Sequence, residues 1–172
     1  VTKMNKNWGM FVATHPLIII EGLVNNHNDL IALSLGLIGI CMLLSGSKVV
    51  SRVFLLLSGG IKYITVPLLL LNKHKNSPMV TVSAVLILTL LTYLVFFQEV
   101  QPWYFLSLFV FVPYAFAHLQ KFYVFFIGLL VSYYPFILYG TWGELKNVQL
   151  KHEIIIGFAI INVFLLIRNK SR

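Results

Sequence analysis

The chain has 172 residues, of which 59% are hydrophobic and only 10% charged, and its mean hydropathy is +0.88. An ordinary soluble domain carries roughly 25% charged residues, so the composition excludes that class and indicates a polytopic membrane protein. The formal charge of +8 does not signal nucleic acid, because the basic residues gather in short segments between apolar runs, with no basic stripe, glycine-rich loop or base-stacking module.

The apolar runs are continuous Leu, Ile, Val and Phe, not the roughly ten-residue alternating segments of a barrel. The expected fold class is therefore all-α, a transmembrane helix bundle. Residues 8–24 form the first predicted span, kinked at His15-Pro16 because Pro16 has no N–H to give the helix. Residues 25–29 form the exit and turn. The second span, 30–44, holds the one cysteine, Cys41, which can form neither an intrachain disulfide nor a cysteine-based metal site.

Residues 49–71 carry basic flanks at both ends, Lys48 and Arg52 before, Lys73, His74 and Lys75 after. Keeping both clusters on one side predicts a re-entrant helical hairpin, bent at Ser58-Gly59-Gly60 with Lys62 just beyond the bend. The competing reading is one tilted helix with Lys62 snorkelling. Further spans are expected at 79–97, 103–117, 122–139 and 154–167, with a polar loop over 141–153 before the last.

That makes about six crossings plus the hairpin, in one transmembrane domain covering 1–172. Placing both termini in the cytoplasm puts ten of the thirteen Lys and Arg on that side, Lys3 and Arg172 among them. Lys146 and Lys151 then face outward and Lys62 lies within the membrane. Asp29, Glu99, Glu144 and Glu153 fall on the outer side with Glu21 just beneath it, so carboxylate chemistry is expected at the external face. The expected location is the plasma membrane of a prokaryote.

Between the first two spans lie Glu21, Asn25, His27, Asn28 and Asp29. Ionisable groups at membrane depth are costly and face a cavity, a partner or a substrate. If this stretch were one helix, Glu21, Asn25 and Asp29 would share a face at i, i+4 and i+8. A carboxylate there can orient a hydroxyl or accept its proton. The competing reading is a polar turn in which Asn28 or Asp29 caps the next helix. His27 and Asp29 are two metal-type ligands where sites gather three or four, so no metal ligand is assigned. Lys62 is a candidate fixed cation for a lipid phosphate. Trp103 and Tyr104 suit either interfacial anchoring or stacking on a sugar.

The segment His15-Pro16-Leu17 through Glu21, followed by Asn25-Asn26-His27-Asn28-Asp29, resembles the "PLxxxE…NxHND" run of GT-C-type membrane glycosyltransferases. The likeness is to their polyprenyl-phosphate-mannose-dependent mannosyltransferase branch. Leu57 through Lys62-Tyr63, with Pro67 displaced, resembles that family's "lalxxKyxP" segment, and Pro102-Trp103-Tyr104 its "PWY" helix start. The resemblance covers roughly residues 15–105. It implies inverting transfer of a hexose, first of all mannose, from a polyprenyl phosphate to a glycan or lipid acceptor at the extracytoplasmic face. Glu21, Asn25, His27, Asn28, Asp29, Trp103 and Tyr104 would bind substrate and Lys62 the lipid phosphate. The family's catalytic aspartate belongs to an earlier external loop, so the chain is expected to be the C-terminal portion of a larger GT-C-like domain. The catalytic base is left unassigned.

The partners implied are the lipid-linked sugar, its acceptor and membrane lipids. No cofactor is assigned beyond the donor lipid, and a divalent-metal requirement is left open. Two other readings use the same residues. A transporter or flippase would employ Glu21 and Lys62 without bond breaking. A non-catalytic assembly subunit would hold Glu21 and Asp29 paired inside protein.

Overall fold

The computed structural model describes residues 6–74, 77–141 and 143–170. Lys3, Lys75 and Arg172, which entered the charge argument above, lie outside them. All regular structure among the described residues is helical. Among the described residues, three helical stretches are long and apolar enough to cross a membrane: Pro78–Phe97, Pro102–Tyr139 and Leu145–Arg168. A fourth is counted if Asn7–Thr14 and Ile18–Val24, bent by 63°, make one span. The protein is a helical membrane protein.

The chain forms two compact units, Val1–Phe116 and Ala117–Arg172. In the first, α1 (Lys6–Thr14) is followed by a π-helix (Ile18–Val24), α2 (Asp29–Leu44), α3 (Lys48–Ile61), a 3-10 helix (Tyr63–Leu70), α4 (Pro78–Phe97) and a second 3-10 helix (Pro102–Phe111). The break before Ile18 falls at the expected Pro16 kink. Its ring environment is aromatic: His15 lies 4.6 Å from Phe109, and Phe11 lies 5.4 Å from Phe116.

Leu33, Leu55 and Ile87 are buried in this unit, but many other large apolar side chains are not. Val49, Leu56, Phe96 and Phe97 are exposed, whereas Ser51, Ser58, Thr65 and Ser83 are buried. Lipid tails are as apolar as leucine, so helices in a membrane are held by close approach of small residues and by hydrogen bonds. Both devices occur here. Gly39 faces Leu55 of α3 so closely that an added Cβ would lie 2.8 Å from its Cγ. Ser58 Oγ donates to the Ala32 carbonyl of α2 (2.8 Å), and Ser83 Oγ of α4 donates to the Pro67 carbonyl (2.9 Å).

Within residues 48–71 α3 packs on the 3-10 helix, and the chain does not turn where the glycines are. Ser58, Gly59 and Gly60 stay helical, and the chain turns at Lys62, whose backbone is extended (φ −136°, ψ 112°). Thr65 sets this joint: its N–H and its Oγ1 both donate to the Lys62 carbonyl, at 3.0 and 2.8 Å. The glycines serve close packing instead, with Gly59 against Val66. The open ends are joined by Arg52, whose guanidinium donates to the carbonyls of Leu69 and Leu71. A cation there also complements the negative end of the short helix. Replacing Arg52 with methionine keeps the apolar stem and removes the donors. Reversible unfolding in micelles should show a loss of about 1–2 kcal/mol; an unchanged midpoint would mean that Arg52 does not hold the hairpin shut.

The second unit contains the end of α5 (Val112–Leu119), a 3-10 turn (Gln120–Phe122), α6 (Tyr123–Val131), α7 (Tyr134–Tyr139) and α8 (Leu145–Lys170). Helical geometry fails at Ala115 (φ −131°, ψ 31°), just before the boundary between units. Gly140 ends α7 in the left-handed region (φ 67°), a frequent helix stop. α6 lies on α8 through Gly128 and Phe158, and Asn162 Oδ1 accepts the Phe125 N–H (3.2 Å). The expected polar loop over 141–153 is corrected here: α8 already begins at Leu145. Asn147 fixes its start by donating to the carbonyl and hydroxyl of Thr141, at 3.1 and 2.8 Å. Lys151, expected in an exposed loop, is fully buried with Nζ 5.3 Å from the centre of the Phe136 ring. Its four-carbon stem and cation–π contact make burial tolerable.

Candidate functional site

The first unit brings most of the sequence candidates together. Glu21 sits in the π-helix, a geometry often found at functional sites because one extra residue per turn re-aims the side chains. Asn25 N–H donates to the Ile20 carbonyl (2.8 Å), an i to i+5 bond. Asn26 then takes positive φ (53°), which asparagine tolerates better than most side chains, and the chain reverses into α2. Glu21, Asn25 and Asp29 therefore do not share one helical face. Asn28 occupies the N-cap position of α2 but makes no side-chain cap; its carbonyl accepts from Ile31 and Ala32. Asp29 begins α2, where its charge suits the helix N-terminus.

Two side-chain pairs result. Glu21, with 0% of its side chain exposed, has Oε2 3.7 Å from Nε2 of His27 and accepts from Asn25 Nδ2 at 3.2 Å. Asp29, 5% exposed, has Oδ2 2.9 Å from Nζ of Lys62, which is 24% exposed. Lys62 can reach Asp29 because the extended joint after α3 carries it, and Ser58 beside that joint is bonded to α2.

Aromatic rings border the first pair. His27 stacks on Trp103, with ring centres 3.9 Å apart and planes 20° from parallel, and Trp103 meets Tyr104 edge-on at 5.9 Å. The 3-10 helix opened by Pro102 positions both rings. His27 and Asp29 are two residues apart, so the aromatic border adjoins the Asp29–Lys62 pair. Burial is graded: both carboxylates are enclosed, His27, Lys62, Trp103 and Tyr104 are half-buried, and Asn25, Asn28 and Tyr63 are exposed. Such a gradient presents an ammonium group, an imidazole and flat rings at a surface, backed by two enclosed carboxyl groups. That chemistry suits an anionic head joined to a polyhydroxyl ring.

Tyr63 was not among the candidate site residues, although it adjoins Lys62 and could have been included on that ground. Within the second unit, an open groove of about 760 Å³ is lined by His118, Lys121, Asn162 and Leu166, none of them singled out by sequence. Comparison with family models, curated proteins and solved structures gives no match.

Proposed function

We propose that the protein is a membrane glycosyltransferase, or the C-terminal portion of one, moving a hexose from a polyprenyl phosphate to an acceptor at the extracytoplasmic face. Mannose is the first sugar to test. The observation that carries this reading is that residues 27–29 join two contacts, the stack of His27 on Trp103 and the pair of Asp29 with Lys62. The stack suits a sugar face and the cation suits the phosphate that leaves. In the transfer, the acceptor hydroxyl loses its proton to a base, its oxygen bonds the sugar C1, and the phosphate departs with the electrons of the broken C1–O bond. The base is assigned to no residue of this chain. Lys62 stabilises the leaving phosphate, and Glu21, 3.7 Å from the His27 imidazole, positions that ring against Trp103.

The topology that accompanies this reading has six crossings plus a re-entrant hairpin. It adds the 16-residue α2 to the longer helices and divides 102–139 at residues 120–122. Both termini then lie in the cytoplasm, the carboxylate cluster outside, and the membrane is a prokaryotic plasma membrane.

The test is transfer from polyprenyl-phosphate mannose in proteoliposomes, with the complete gene product. Lys62→Ala is expected to lower kcat about 100-fold, as loss of one charge-stabilising donor does. Trp103→Ala should act on KM for the donor. Transfer that is undetectable in the wild type, or unmoved by both variants, defeats the proposal. The enclosed pairing of both carboxylates favours one other reading, a non-catalytic assembly subunit. That reading expects no donor binding at all.

A further inference from the structure

We infer that Lys62 and Asp29 form an exchangeable pair: a phosphate head takes Lys62 from Asp29, and the freed carboxylate then faces the bound ligand. The inference rests on the transferase reading and adds the order of events at its site. Lys62 Nζ lies 2.9 Å from Asp29 Oδ2, so the cation that would bind a phosphate already holds an anion. The two partners differ in how much they need each other. Asp29 is the first residue of α2, and the helix N-terminus stabilises its charge with or without the lysine. Lys62 is partly open, with three N–H directions on a flexible stem, while its backbone is locked by Ser58 and Thr65. Only the side chain has to move.

An empty site then keeps Asp29 occupied, and donor binding uncovers it. A carboxylate exposed only beside bound donor can orient an acceptor hydroxyl without competing for the lysine beforehand. Asp29 is here a positioning residue, since nothing places it on the reacting atoms.

The exchange has an unusual signature: removing the competing anion should tighten phosphate binding. Binding of a sugar-free polyprenyl phosphate to protein in nanodiscs is measured for wild type, Asp29→Asn and Lys62→Gln, with inorganic phosphate as a second arm. Asp29→Asn keeps the shape of the side chain and should bind the lipid about tenfold tighter, while Lys62→Gln should bind about tenfold weaker. The same Asp29→Asn protein should lose transfer despite its tighter binding, a split that a merely structural role does not produce. Wild-type binding with Asp29→Asn unchanged or weaker overturns the exchange and leaves the transferase reading standing. No binding by wild type overturns both. Inorganic phosphate binding as tightly as the lipid would make this a free-anion site and overturn the lipid assignment.

Discussion

Gly128→Leu is expected to part α6 from α8 and unfold the second unit, and Gly128→Ala to destabilise it by about 2–3 kcal/mol. A Cβ built on Gly128 overlaps Cβ and Cγ of Phe158. Those atoms are not the free end of a flexible chain. Cβ is fixed to the backbone of α8, so relief requires one helix to shift away from the other. The shift would also draw Asn162 from the Phe125 N–H that it accepts. Gly157, next to Phe158 on the same helix, is the control: an added Cβ there has nothing within 4 Å. Gly157→Ala should be neutral or stabilising by up to about 1 kcal/mol, as expected from helix propensity alone. Thermal unfolding in nanodiscs compares the two, and equal midpoints for both alanine variants would refute the packing account.

Glu21→Ala should be the most damaging change in the candidate site. It removes a fully enclosed carboxylate, strands Asn25 Nδ2, and leaves His27 without the anion 3.7 Å from its Nε2. Breaking a buried pair by deleting one partner can cost about 3–5 kcal/mol. His27 and Asn25 are partly open to solvent and can rehydrate, so about 2–3 kcal/mol is expected. Glu21→Gln separates charge from shape. It keeps the volume and an oxygen for Asn25, and should hold stability within about 1 kcal/mol of wild type. If charge holds the ring, Glu21→Gln should still loosen the His27–Trp103 stack, read as a change in tryptophan fluorescence on adding the donor lipid. A glutamine variant as unstable as the alanine one would show that charge, not volume, holds the π-helix in place.

Much of the chain was legible because a membrane imposes coarse rules. Continuous apolar runs foretold helices, and residues 79–97 match Pro78–Phe97 nearly to the residue, where Ser77 Oγ caps the first turn by accepting the Met79 N–H. The kink at Pro16 was equally predictable, since a missing N–H acts locally. Three features escaped. The hairpin turns at Lys62 and not at the glycines, because Thr65, three residues further on, supplies the bonds that hold the extended joint. The helix α8 begins in a polar segment because Asn147 bonds Thr141 at its start, and Lys151 lies enclosed on Phe136. The supposed common face of Glu21, Asn25 and Asp29 is broken by a π-helix and by Asn26, yet Glu21 and Asn25 still meet at i and i+4.

Composition and residue order by themselves determined that this chain is helical, membrane-embedded and polar in one place. Hydropathy and proline act within a few residues, so no partner is needed to read them. Which charges would meet was decided only by the tertiary structure. Lys62 and Asp29 are 33 positions apart, and Trp103 follows His27 by 76. Bringing them together depends on a joint at Lys62, a serine bridge to α2 and a helix opened by Pro102. Contacts of that kind depend on side-chain geometry across elements, which no local pattern in the sequence encodes.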